Sequence, residues 1–244
     1  MIWFGNVSKR YERGGRLAVD GLQLQVDPGE IVGFLGPNGA GKTTTIKMLT
    51  GIIPPDTGEI EVDHRSMIRS PLEAKRKIGY VPDQPESVMR ITGREYLHFF
   101  ADVYRVSPAE REDRLVQYLE RYRMEDVIDE LIQGYSRGMK QKIAVIASLL
   151  HDPAVWVLDE PMVGLDPHAA KVVKEEMKWR RDHGKTVFFS THVLEVAERL
   201  CDRIAILQQG RLVAVGTMEE LRRGSGVGIA DEETLEQLFL ELTE

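Results

Sequence analysis

Residues Gly36-Pro37-Asn38-Gly39-Ala40-Gly41-Lys42-Thr43 fit the pattern G-x-x-x-x-G-K-[ST] in full. The pattern carries phosphate chemistry. Its glycines let successive backbone N–H groups turn inward around an anion. The helix that follows adds the partial positive charge of its N-terminus. A lysine at this place reaches terminal phosphates, and the next hydroxyl is a Mg²⁺ ligand. Gly36, Pro37, Asn38, Gly39, Ala40, Gly41, Lys42, Thr43 and the adjoining Thr44 are therefore candidate phosphate-binding residues, with Lys42 also a catalytic candidate and Thr43 a metal ligand. A second group lies downstream, where Val155-Trp156-Val157-Leu158 runs into Asp159-Glu160. Apolar residues ending in two acids are expected at the C-terminal end of a buried parallel strand, where α/β sheets keep their ligands. There Asp159 is a candidate to hold Mg²⁺ through water. Glu160 is a candidate general base on an attacking water, a role typically worth ~10²–10⁴ in rate.

The bulk composition bounds the rest. The chain has 244 residues, 42% apolar and 29% charged, which suits a soluble globular protein of one large domain, with or without a small lobe. With 39 acidic against 32 basic residues the net charge is -7, so general nucleic-acid binding is disfavoured, although a local basic patch would survive that balance. No stretch approaches the ~20 apolar residues of a membrane-spanning helix. The segment Met1-Ile2-Trp3-Phe4-Gly5-Asn6 lacks the basic start and apolar run of a secretory signal. A single cysteine, Cys201, precludes an internal disulfide and fits a reducing, cytosolic location. It sits among Val193, Leu194, Val196, Ala197 and Leu200, so a packing role is expected.

The elements that would position these residues follow from periodicity. Leu22, Leu24 and Val26 alternate with polar residues, as a half-buried strand requires, and Ile31-Val32-Gly33-Phe34-Leu35 reads as a buried strand entering the glycine loop. Lys42 to Thr50 reads as a helix closed by Gly51, and a strand is expected around Ile60-Glu61-Val62. From Thr92 the character changes. Thr92 with Glu95, and Ser107-Pro108 with Glu110, are capping boxes opening two helices, the second carrying Leu115, Leu119 and Tyr122. The α/β pattern resumes at Val155, with a helix from Asp166-Pro167, a buried strand Thr186-Val187-Phe188-Phe189 and a hairpin turning at Gln209-Gly210. Leu235, Leu238, Phe239 and Leu242 form a narrow apolar helical stripe at the end. We expect one domain over 1–244, with a core of 1–91 and 136–216, a helical lobe of about 92–135 and a helical tail of 217–244.

Together these residues resemble the nucleotide-binding domains of ABC transporters, from Tyr11 to about Gly216. The resemblance implies an α/β fold with a P-loop NTPase core on a mainly parallel sheet, an N-terminal antiparallel β subdomain and a helical lobe. It implies ATP and Mg²⁺ as ligands, and Tyr11 as the aromatic that stacks on adenine, beside its ordinary reading as a strand tyrosine. Tyr135-Ser136-Arg137-Gly138-Met139-Lys140-Gln141 occupies the signature position, usually L-S-G-G-Q. Ser136 and Gly138 are kept, and a serine at a helix N-terminus has a hydroxyl and N–H groups to offer a γ-phosphate. Alone, Ser136 would read as a helix cap. Asp166 resembles the D-loop aspartate and also suits a cap; His192 resembles the switch histidine that contacts the γ-phosphate. Where the family commonly places a glutamine for Mg²⁺, this chain reads Val81-Pro82-Asp83-Gln84-Pro85. Either Asp83 or Gln84 offers a suitable oxygen.

The resemblance further implies a sandwich dimer, as a homodimer or a heterodimer with a related ATPase subunit. Each ATP would lie between the glycine loop of one chain and the signature of the other. It implies a separately encoded integral membrane subunit, docked in a groove of the helical lobe and the Asp83–Gln84 loop. The chain would be cytoplasmic, peripheral on the inner face of the cell membrane. The wording of the signature and the run Glu233 to Phe239 resemble the branch of drug, antibiotic and polysaccharide exporters. Soluble ABC ATPases that act on ribosomes usually carry two cassettes, and those that act on DNA carry a very long coiled coil. This chain has one cassette and a short helical insert. A P-loop kinase or GTPase would not be expected to have the Ser136–Gly138 segment shortly before Asp159-Glu160.

Overall fold

The computed structural model describes residues 1–12, 14–85, 90–224, 235, 236, 239 and 240. The alternating apolar residues at the start pair β1 (Ile2–Arg10) with β2 (Leu17–Val26) antiparallel, bringing Leu22, Leu24 and Val26 to within 5% of full burial. The wholly buried β3 (Ile31–Leu35) leads into the glycine loop and α1 (Lys42–Leu49), which ends ahead of Gly51 at φ +66°. Next come β4 (Thr57–Val62), β5 (Arg65–Ser66), α2 (Pro71–Lys75) and β6 (Ile78–Val81). Helices α3 (Gly93–Val103) and α4 (Pro108–Tyr122) both open on complete capping boxes, Thr92 with Glu95 and Ser107 with Glu110. A 3₁₀ turn (Ile132–Gly134) precedes α5 (Arg137–Leu149). The chain continues through β7 (Val155–Asp159), α6 (Pro167–Asp182), β8 (Thr186–Ser190) and α7 (Leu194–Leu200). It then forms the hairpin β9 (Arg203–Gln208) and β10 (Arg211–Gly216), followed by α8 (Met218–Gly224).

Two sheets result. One is antiparallel, in the order β2-β1-β4-β5. The other, β10-β9-β3-β8-β7-β6, is parallel apart from the edge strand β10. Its central strands β3, β8 and β7 are buried along their whole length, as parallel strands covered on both faces must be. Along β7, Val155 and Val157 face a core built with the antiparallel sheet and α1, while Trp156 and Leu158 face a core shared with α5, α6 and the lobe helices. The positioning consequence lies in the register. Strand β8 sits between β3 and β7, with Phe34 and Asp159 both paired to Ser190, so the loop leaving β3 and the acids ending β7 emerge at the same level.

The hairpin turns at Gln209 (φ +50°) and Gly210 (φ +86°), both left-handed, as a two-residue loop between twisted strands demands. Leu235 is fully buried against Leu35, Ile204 and Ile206, and Phe239 packs on that cluster. The remaining stripe positions, Leu238 and Leu242, lie outside the described residues, as do Glu233, Thr234 and Gln237. Cys201 caps α7 with its sulfur against β3. A Cβ on Gly33 would stand 2.6 Å from Sγ, and burial pushes the thiol pKa up, which suits packing and not reactivity. No helix among the described residues is long and apolar enough to cross a membrane.

His151 ties the lobe to the sheet. Its ring stacks on Tyr104 at 3.6 Å, its Nε2 donates to the Ile78 carbonyl at 3.1 Å, and its Nδ1 is buried with no hydrogen-bond partner among the described residues. Burial, reinforced by Arg180 and Arg114 and opposed by that hydrogen bond and by Asp152, lowers its pKa from 6.5 to about 4. Below the unfolded pKa the unfolded chain takes up a proton that the folded chain refuses, so stability falls as pH drops from 6.5 toward about 4. At most roughly 3 kcal/mol is lost across that window. We expect chemical denaturation from pH 7 to pH 4.5 to show this slope, and His151→Gln to flatten it. An equal slope in the variant would place the dependence elsewhere.

Candidate nucleotide site

The glycine loop is held by backbone contacts that exclude side chains. Gly36 has φ +149° and a Cβ there would lie 2.2 Å from the Leu207 carbonyl oxygen; Gly41 has φ +110° and its Cβ would lie 2.3 Å from that of Ala18. Gly210 of the hairpin turn donates to the Ala40 carbonyl at 2.8 Å, pinning the loop from below. Lys42 begins α1 and folds back, with Nζ donating to the carbonyls of Gly36 at 2.5 Å and Pro37 at 3.1 Å. Burial lowers its pKa, countered by the nearby Glu160 and Asp159 carboxylates. A cavity of about 270 Å³ opens over the loop. Lys42, Thr43, Thr44, Asp83, Asp159 and Glu160 line it together with the loop itself.

The acids at the end of β7 form a chain of hydrogen bonds with β8. Asp159 is buried, and its Oδ1 accepts from Ser190 Oγ at 2.6 Å. The same Ser190 oxygen accepts the Glu160 N–H at 3.0 Å. Glu160 stands at φ +50°, a left-handed conformation costing a side-chain-bearing residue about 1–2 kcal/mol. The strained turn swings its carboxylate over the cavity, where His192 Nδ1 donates to Oε2 at 2.9 Å. Ser190 thus fixes both acids. The sequence analysis does not single it out. The signal that would have found it is the register that pairs Asp159 with Ser190.

The donors fit Mg²⁺. Thr43, Asp83 and Asp159 present hard oxygens to one cavity, and among the described residues no group of three or more His, Cys, Asp or Glu could by itself hold a metal. A sparse set of protein oxygens completed by phosphate and water oxygens is the usual arrangement for that ion.

The other predicted residues lie apart from the cavity or at its rim. Tyr11 follows β1 and is 62% exposed, and its hydroxyl meets Thr44 Oγ1 at 3.2 Å. Ser136 caps α5, accepting the Met139 N–H at 3.2 Å, and is exposed. Gly138 packs so closely on the Gly164 carbonyl that a Cβ would stand 2.7 Å from its oxygen. Asp166 caps α6 through the Ala169 N–H at 2.8 Å. It also pairs with Lys142 at 2.7 Å, a hydrogen bond that holds its carboxyl below the usual range. None of Ser136, Gly138 and Asp166 lines the cavity over the loop.

Residues 19–163 match the family model described as ABC transporter. The chain belongs to the ABC transporter family. Over 221 residues it is 37% identical to the linearmycin resistance ATP-binding protein LnrL of Bacillus subtilis, covering 91% of this chain and 70% of that protein. A solved structure of an ATP-binding subunit of an ABC transporter superposes with TM-score 0.94 at 34% identity, covering all of both chains. A dimeric ATP-binding cassette in a post-hydrolysis state with ADP and Pi superposes with TM-score 0.80 at 26% identity, covering 89% of this chain and 99% of that one. As an ABC ATPase the chain binds and hydrolyses ATP.

Within this ABC fold the two adjacent candidates after β6 part company. Asp83 lines the cavity over the loop; Gln84 is exposed and lines a groove on the lobe side.

Proposed function

We propose that two copies of this chain close around ATP, each glycine loop holding phosphates that the signature segment of the other copy covers, and that this closure drives a separate integral membrane subunit. The observation that carries the reading is the separation just described: the residues around Gly36 to Thr44 form one half of a site, and Ser136, exposed, and Gly138, half-buried, stand elsewhere on the same chain and outside that cavity. The dimeric cassette with ADP and Pi supports it.

Lys42 exchanges the Gly36 and Pro37 carbonyls for the β- and γ-phosphates, and Tyr11 offers its exposed ring to the adenine. Thr43, Asp159 and Asp83 hold Mg²⁺, which when bound neutralises phosphate charge. Phosphoryl transfer needs positioning and electrostatics more than covalent chemistry. Glu160 accepts the proton of the attacking water, and His192 orients that carboxylate from a place beside the γ-phosphate. The exposed N-terminus of α5, with Ser136 and Gly138, receives the phosphate of the second copy. Asp166 sets the neighbouring turn at Gly164 against which Gly138 packs.

The membrane subunit docks in a groove of about 580 Å³ between the core and the lobe. Tyr96, Phe100 and Tyr104 form one wall, and Ala144 and Ala147 leave room for a helix backbone. Among the described residues Lys47 and Lys75 are its only charged lining residues, so the partner segment is a short helix with apolar residues and a carboxylate. Docking there places the chain at the cytoplasmic face of the membrane. Relatives named as Nod factor export ATP-binding proteins favour export. To test this, the chain is co-expressed with the membrane protein encoded beside it. We expect recovery in the membrane fraction, lost in Ile52→Asp, which places a carboxylate at an exposed groove residue, while soluble ATP turnover stays within about twofold, as for other surface changes. Recovery with ribosomes or DNA instead would overturn the transport reading.

A further inference from the structure

Asp83 carries a contact that the phosphate site alone does not explain. Its Oδ1 lies 3.9 Å from Nη2 of Arg137, the first residue of α5, directly after the cap Ser136. The stem of Arg137 lies along Gly164: a Cβ there would stand 3.3–3.4 Å from Cγ, Cδ and Nε. A second cavity, of about 310 Å³, is lined by Arg137 and Lys140 together with Gln84 and Pro85, which also line the groove on the lobe side. The first turn of α5 holds no acid. A cation at a helix N-terminus opposes the helix dipole, so Arg137 does not stabilise α5 from that place. What it does reach is a carboxylate that lines the phosphate cavity.

We propose that Arg137 is a positioning residue for the metal site: it holds the Asp83 carboxylate away from Mg²⁺ in the single chain and releases it when phosphate from a second copy arrives at the N-terminus of α5. The inference rests on the reading of Asp83 as a metal oxygen. A guanidinium beside a carboxylate lowers its value as a ligand to a second cation, and the pair is exposed, so the effect is modest. Arg137 directly follows the cap Ser136 in the chain, so a phosphate arriving at that helix start competes with Asp83 for its guanidinium. Closure of the dimer is thereby linked to metal affinity across the width of one chain.

The test measures Mg²⁺ half-saturation of the ADP-bound full chain by calorimetry, with ADP affinity in the absence of Mg²⁺ as a check that the site is folded. Arg137→Ala is expected to lower the half-saturation concentration about two- to fivefold, Arg137→Lys to keep it near the original, and Arg137→Ala in an Asp83→Asn background to change nothing. An equal shift in both backgrounds would mean a general charge effect and overturn the pairing. If Asp83→Asn alone leaves Mg²⁺ binding unchanged, the metal assignment fails and the latch with it. If Asp83→Asn weakens Mg²⁺ but Arg137→Ala has no effect, only the latch fails. In the ATP-bound Glu160→Gln dimer the two Arg137 variants are expected to match the parent; a shift that persists there overturns the release.

Discussion

Glu160→Gln is expected to trap an ATP-bound dimer while turnover falls at least about a hundredfold. The substitution removes the base and little else. An amide oxygen can still accept from His192, the backbone N–H still donates to Ser190, and the loop that holds the phosphates is untouched. It also removes a negative charge from a cavity that must take in a polyanion. Nucleotide therefore binds at least as well, and the step that would loosen the dimer does not occur. Gel filtration with ATP and Mg²⁺ reads the dimer, and phosphate release reads turnover. Monomer alone together with normal turnover would remove Glu160 from the mechanism.

Lys42→Ala is expected to abolish measurable nucleotide binding. Lys42 is largely buried, and Glu160 and Asp159 keep the local field negative once its charge is gone. Removing Lys42 would leave bound phosphate without its buried cationic partner, and truncating one member of such a pair costs about 2–5 kcal/mol, much of it from the charge left behind. The Gly36 and Pro37 carbonyls also lose their donor, so a melting curve must accompany calorimetry to separate a lost site from a lost fold. Near-normal ATP affinity in a folded variant would contradict the role given to the loop.

The features legible from the residues alone were those set by local rules. The two capping boxes, the buried strands at Ile31 and Val155, the Gln209-Gly210 turn and the glycine loop each depend on neighbours within a few positions, and each forms as expected. What was not legible depends on register or on distant contacts. Ser190 joins Asp159 and Glu160 only because β8 lies beside β7 with Ser190 level with Asp159. Asp83 and Gln84 are adjacent, and only the path of the chain after β6 sends one to the phosphate cavity and the other to the groove. The Arg137 contact with Asp83 spans the lobe between them, and nothing local announces it. The short β5 and α2 carry too few residues to show a period.

The central claim is that this chain holds half of each site and that a second copy supplies the rest. Mixing two variants tests it most directly. Lys42→Ala spoils the glycine-loop half, and Ser136→Arg spoils the signature half. Each alone is expected to be inactive in ATP hydrolysis. In a mixture, dimers containing one of each carry a single intact site, made from the loop of the second variant and the signature of the first, so turnover returns. A mixture that stays as inactive as its components, with both variants folded and pairing shown by cross-linking, would contradict the account.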